Sequence, residues 1–576
     1  MTDRGRGSSR CWRLGTGTAV AVLLLAACTP PGLPAPISPA SGSVHSGVPA
    51  AESQVTIGVD GAVQGFNPHA IADYSLADAA VAQLVLPSVS SVATDGTVAL
   101  NTDVVRKAAV TSTDPFTVTY TLDRNAAWSD GTPITAEDFS YLWAAMSVQP
   151  GTIDPAGYRL ITSIVSRDAG KTVEVAFKRP VPDWKSLFSP LLPSHILKDS
   201  PGGWAEGLAA GIPVSGNRYK MQGYEPVTGE ITLVRNDKYW GTQPGPSLAV
   251  LRIGSSTALM EALGRGDLQA VFLQPDAADQ RKLEAAVPAA HRVLVPLPGT
   301  IQLVFNTAQG AGADLGVRRA VAAALDLDGI RAALDGGNVA GGAPAPSLVN
   351  LPAAPVGRTA AATTSPSHGI PPGPGSPRPA VERAVAELAA VGYRRESLYM
   401  RKDGRILRLT LAYSGSDLRM AAAARLIQLQ LAGVGIEVEL LRDQTRAIVD
   451  SRLALGQVDL GLVMVPRGRS DGIAASSAFG CPPPITPPGG RDGAARAGNL
   501  SGYCSVHVQN RLDQATSGSV PGDLDGLLTA ALPVLPISRP TAVFATSAAV
   551  APVLSDAGPG WVFSGPLSGL ARWPLG

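Results

Sequence analysis

Residues Phe116 to Met146 read FTVTYTLDRNAAWSDGTPITAEDFSYLWAAM, and the fold is decided there. Phe116, Val118, Tyr120 and Leu122 alternate with Thr117, Thr119 and Thr121, the period of a half-buried strand. Ser129-Asp130-Gly131 supplies a turn, with glycine free to take a positive φ. Thr135 stands three residues before Asp138, an acidic form of the capping box, and predicts a helix start. Phe139, Leu142, Trp143 and Met146 then recur at helical spacing on one apolar face. The stretch reads as strand, turn and capped helix.

Working outward, 576 residues exceed one small core and predict two or three domains. Charged residues make up 16% of the chain, below the usual quarter or so, and the formal net charge is +1. That balance provides no electrostatic footprint for nucleic acid. After the N-terminus no run of about 20 apolar residues appears, so no transmembrane helix is predicted.

The N-terminus has the layout of a bacterial lipoprotein signal. Arg4, Arg6, Arg10 and Arg13 precede the apolar run Ala19 to Leu25, and Leu25-Ala26-Ala27-Cys28 has the form of a lipobox. Cleavage would make Cys28 the lipidated first residue, with each buried methylene adding about 0.8 kcal/mol of membrane affinity. Ordinary cleavage without lipid is the competing reading. The expectation is a chain anchored by Cys28 on the extracytoplasmic face of the cell membrane. Residues 29–52, rich in Pro, Gly, Ser and Ala, read as a flexible tether. In an oxidising compartment Cys481 and Cys504, flanking a Pro/Gly-rich loop, are expected to form a disulfide. A zinc site finds no Cys-x-x-Cys or paired histidine, and no metal or other cofactor is predicted.

The ordered pattern Y-T-L…W-S-D-G-T-P-I-T-A-E-D-F…W resembles the family-5 extracellular solute-binding proteins, the oligopeptide-, dipeptide- and nickel-binding components of ABC importers. Phe66-Asn67-Pro68-His69, Glu230 to Gly241, Met260 to Phe272, Val304-Phe305-Asn306-Thr307 and Leu532 to Ile537 resemble further segments of that family. The resemblance implies an α/β fold of the periplasmic-binding-protein type II (cluster C). It has two lobes of mixed sheets joined by a hinge, plus a small extra subdomain. The corresponding division is signal 1–28, tether 29–52, first lobe 53–103, small subdomain 104–210, and first lobe again 211–298. The second lobe then spans 299–540, with a low-complexity loop at 336–378, and 541–576 returns to the first lobe.

The resemblance also points to ligand contacts. Phe66 and Asn67 lie in the loop after the first strand, and Asn217-Arg218 stands where the family has Gly-Pro. In peptide-binding members a Trp and an acid follow the strand equivalent to Val458 to Val465. Here Pro466 takes roughly the Trp position and Asp471 is the nearest acid, read either as an amine anchor or as a solvated turn residue. These departures weigh against ordinary oligopeptide uptake. Trp204 and Trp240 could stack on sugar, but packing is the expectation for both.

The signal, the F-N-P-H loop, the Ser215-Gly216-Asn217-Arg218-Tyr219 segment and the cysteine pair further resemble a subgroup of lipoproteins acting in cell-envelope biosynthesis. That subgroup works at the branch between polar phosphatidylinositol mannosides and lipomannan/lipoarabinomannan. The function implied is non-catalytic binding of a phosphatidylinositol mannoside or of a partner such as an envelope mannosyltransferase. The alternative is the receptor of an ABC permease, taking a peptide or another solute. A hydrolase reading rests on Gly468-Arg469-Ser470-Asp471-Gly472, which fits G-x-S-x-G after a strand. Its only downstream histidine is His507, too close for the Ser-acid-His order, so no catalytic residue is predicted.

Overall fold

The computed structural model describes residues 53–338, 342–343, 347–350, 356–358, 381–481 and 497–573. The signal, Cys28, the tether and most of the 336–378 loop lie outside the described residues.

The first lobe opens with strand β1 (Gln54–Asp60), followed by helix α1 (Leu76–Val85). The small subdomain is an antiparallel sheet of β2 (Val105–Thr113), β3 (Phe116–Leu122), β4 (Ile161–Arg167) and β5 (Thr172–Phe177), in the order β2-β3-β5-β4. Helix α2 (Ala136–Val148) starts where the sequence predicts. Thr135 Oγ1 accepts from the Glu137 amide, and Asp138 Oδ2 accepts the Thr135 amide at 2.9 Å. Val118, Tyr120 and Leu122 are buried, and the Tyr120 ring packs against Phe139, Trp184 and Phe188. Alternation on the strand and 3.6-residue spacing on the helix thus meet in one aromatic core.

Strands β6 (Tyr219–Glu225), β7 (Glu230–Arg235) and β8 (Leu248–Gly254) form an antiparallel meander that pairs in parallel with β1 through β8. β9 (Ala270–Leu273) flanks β1 on the other side. The chain then runs through β10 (Arg292–Pro296) and β11 (Gly299–Phe305) into the second lobe. There β12 (Arg408–Ser414) pairs in parallel with both β13 (Glu437–Asp443) and β14 (Leu460–Pro466). Helix α3 (Leu418–Gly433) buries Met420, Ala424, Ile427 and Leu431, the stripe its spacing predicts. The apolar run ending at Val465 forms β14, parallel to β12 but antiparallel to β11.

One strand belongs to both lobes. β15 (Val534–Thr546) pairs through Val534 to Ser538 with β11, and through Thr541 to Ala545 with β10, while Val543 to Thr546 also meet β9. Proline cannot donate to a ladder, and Pro536 and Pro540 sit around the change of partner. The two-stranded ribbon of 292–305 against 534–546 is therefore the physical link between lobes. At its bend Gly299 lies so close to the Val465 carbonyl that a Cβ would collide with backbone.

Candidate functional site

A cavity of about 190 Å³ opens between the lobes over this ribbon. Leu297, Ile301, Pro540 and Thr541 form its floor. The first lobe contributes Asp60, Tyr74 and Gln274, and the second contributes Asp335, Asp417, Arg419, Met420 and Met464. Each polar group is set by local structure. Asp60 ends β1 and its Oδ2 accepts from Ser256 Oγ at 2.7 Å and from the Gln274 amide at 3.0 Å. Asp417 caps α3 by accepting the Arg419 amide at 2.8 Å. Arg419 donates to the Gln274 carbonyl across the lobes at 3.2 Å. Burial pushes the Asp335 carboxyl up to about 6, against the pull of Arg419 and Arg331. Burial also raises the Tyr74 hydroxyl. Three carboxyls and one guanidinium therefore face a partly apolar space. Such a lining accepts hydrogen bonds from hydroxyls or ammonium groups and repels anions.

A second, smaller cavity of about 60 Å³ is lined by Thr300, Gln302, Val465, Pro466 and Arg467 from the second lobe, with Thr152 and Asp154 from the small subdomain. Ile301 faces the first cavity and its neighbours Thr300 and Gln302 the second, so the two lie on opposite faces of β11.

The segment after β14 carries two residues singled out in the sequence. Ser470 is the N-cap of helix α4 (Asp471–Phe479), with an ordinary extended backbone at φ −79° and ψ 110°. Its Oγ accepts from the Ile473 amide at 3.2 Å and donates to Asp183 Oδ2 at 2.6 Å. A nucleophile elbow needs a strained turn and a histidine, and this serine has neither. The G-x-S-x-G match is a helix cap. Asp471 is the first residue of α4 and its carboxylate is bound by Arg467.

Phe66 is fully buried, edge-on to Tyr224. Asn67 is buried too, donating through Nδ2 to the Trp204 carbonyl at 3.0 Å while its Oδ1 accepts the His69 amide. The His69 ring contacts the Pro190 carbonyl through Nε2 at 2.8 Å, and burial lowers its pKa to about 4. Asn217 Nδ2 closes the end of α1 on the Gln83 and Leu86 carbonyls, and Arg218 pairs with Asp103 at 2.7 Å. Of Phe66, Asn67, Asn217, Arg218 and Asp471, none lines either cavity. Trp204 packs against His69, and Trp240 donates through its indole N–H to the Asp103 carbonyl. Cys481 and Cys504 are joined in a disulfide. Among the described residues, no group of three His, Cys, Asp or Glu side chains is placed to hold a metal ion, and no helix is long and apolar enough to cross a membrane.

The sequence reading missed Asp60, Asp335, Asp417 and Arg419. A terminal strand acid, a residue after a helix and a cap each look ordinary locally. Only the helix-start signal at Asp417 could have marked one of them in advance.

The family model for bacterial extracellular solute-binding proteins, family 5 middle, matches residues 99–479. The chain belongs to family 5. It is accordingly a solute-binding protein of an extracellular family and not an enzyme. It is 31% identical to the probable monoacyl phosphatidylinositol tetramannoside-binding protein LpqW of Mycobacterium tuberculosis, over 94% of both chains. It is 25% identical to the oligopeptide-binding protein OppA of the same species, over 66% of this chain and 63% of that one. Among solved structures, the oligopeptide-binding protein AppA from Bacillus subtilis, in complex with a nonapeptide, superposes with a TM-score of 0.68. That match covers 91% of this chain and 99% of AppA at 15% identity, and speaks to the two-lobed fold alone.

Proposed function

We propose that this family-5 protein acts in cell-envelope lipoglycan biosynthesis, by binding a mannosylated phosphatidylinositol intermediate or an envelope partner such as a mannosyltransferase. The 31% identity to LpqW over 94% of both chains carries this reading. Lipidation at Cys28 would hold the chain on the extracytoplasmic face of the membrane. The lobe and subdomain boundaries proposed from the sequence place the hinge near residues 298–299 and 540–541. The first cavity supports the reading. Its 190 Å³ is below the roughly 300–1,000 Å³ of most small-ligand pockets and has room for one compact group. Its carboxyls can accept from the hydroxyls of a neutral sugar, as they could from a peptide's ammonium end, and they repel a carboxylate. On this reading Asp60, Asp335, Asp417 and Arg419 touch ligand, while Phe66, Asn67, Asn217, Arg218 and Asp471 brace the walls.

The second reading, a receptor for peptides or another solute serving an ABC permease, is favoured by the 25% identity to OppA. Native mass spectrometry of the protein purified from its own membrane separates the two. A co-purifying mannosylated phosphoinositide is the expected result, and a short peptide in its place would overturn the proposal.

A further inference from the structure

Beside the hinge, three segments meet around a group of carboxyls. Asp73, from the loop before α1, is paired with Arg446 of the second lobe, and Arg446 also reaches Asp450 at 3.5 Å. Gly151, from the small subdomain at φ +61°, lies directly over Asp450, where a Cβ would collide with Oδ1. Asp154 Oδ2 accepts the Gly468 amide of the second lobe at 2.6 Å. The Ala156 amide donates to Ser477 Oγ at 3.0 Å, also between lobes. Ile71 and Ala72 bury among second-lobe residues that include Ile448, Val449 and Phe479. Asp73, Asp154 and Asp450 thus all sit at the contact between the lobes, Asp73 buried and Asp154 and Asp450 half-buried.

We infer that closing the lobes takes up protons at this junction, so that mild acidity drives the cleft shut. The charges facing these groups are few. Asp73 faces Arg446 and the buried Asp78; Asp450 faces Arg446 and Asp73; Asp154 faces Arg467, Asp471 and the Tyr158 hydroxyl. Burial outweighs the guanidinium in each case. It pushes Asp154 and Asp450 up to about 6 and raises Asp73. In an open state the same carboxyls regain water and an ordinary value of about 3.9. The closed form therefore binds protons more tightly, and its advantage grows as pH falls from about 7 towards 4. For one group the closed-to-open ratio rises about tenfold between pH 7.5 and 5, and for two independent groups about a hundredfold. Asp73 acts in the same direction but shares Arg446 with Asp450, so their titrations are coupled.

Hydrogen exchange at the Gly468 and Ala156 amides of the full secreted chain, corrected for the intrinsic pH dependence, reads this ratio directly. The expected result is protection about ten- to a hundredfold higher at pH 5 than at pH 7.5. Protection that is unchanged or lower at pH 5 overturns the inference. The double variant Asp154→Asn/Asp450→Asn mimics the protonated forms, and its Ala156 protection should stay high at both pH values. A wild-type pH response in that variant also overturns it. Small-angle scattering of the wild-type chain, in which acidity should reduce or hold the radius of gyration, gives a readout free of any variant. Expansion at pH 5 counts against the inference.

Discussion

The pair between Asp73 and Arg446 offers the sharpest test of how the lobes are held. Replacing Arg446 by Met keeps the aliphatic stem and removes the charge. The Asp73 side chain is 1% exposed and that of Arg446 28%. Removing one partner of a fully buried pair costs about 3–5 kcal/mol, because the other charge is left without compensation. With Arg446 part-exposed the lower end applies, about 3 kcal/mol at pH 7. The loss has a ceiling, since Asp73 can escape it by taking a proton. The cost should therefore shrink by up to about 1.4 kcal/mol for each pH unit below 7. Asp73→Asn in the Arg446→Met background keeps the acceptor for the Asn67 amide, now at 3.1 Å, and removes the more deeply buried of the two carboxyls left without Arg446, the other being Asp450. The double variant should recover part of the stability, with Asp450 still lacking its guanidinium. Urea unfolding followed by tryptophan fluorescence and far-UV circular dichroism, run as a double-mutant cycle at pH 7 and pH 5, measures all three effects. A single-variant cost below about 1 kcal/mol at pH 7, or strictly additive variants, would refute the reasoning.

Ser470→Ala should lose about 1 kcal/mol through its helix cap, read from the urea midpoint, while esterase turnover stays at background. Gly151→Ala should be destabilising by more than the roughly 1–2 kcal/mol of a left-handed alanine, because its Cβ meets Asp450. Gly404→Ala, at φ +73° with open space around it, is the control and should cost only the backbone strain. Reducing the Cys481–Cys504 bridge, which spans 23 residues, should lower stability by about 3 kcal/mol in denaturant titrations with and without reductant.

The fold was legible because its signals are local and repeated. Alternation at Phe116 to Leu122, the Thr135/Asp138 box and the α3 stripe each name an element from within a dozen residues. The site was not legible in the same way. Asp60 and Gln274 lie more than two hundred positions apart, and Asp417 and Arg419 follow far behind, so only the crossing of β11 and β15 brings them to one cavity. Departure from the family pattern, as at Asn217 and Arg218, does not mark a ligand contact: their hydrogen bonds go to α1 and to Asp103. Asp154 and Asp450 carried no signal at all. Burial in the assembled junction makes them titrate near 6, and burial is a property of the folded whole.

The route of β15 has a consequence for the order of events during export. β9, β10 and β11 are made roughly midway along the chain, yet each waits for residues 534–546 before its ladder is complete. Until that late segment emerges, both lobes present open strand edges, the surfaces most prone to mispairing. A chain cut short before Val534 would lose the closing strand of both sheets at once, not a peripheral piece of one lobe. Completion of this protein is thus a single late event, and whatever guards it on the way out must hold it until its last fifty residues arrive, roughly the stretch that contains β15.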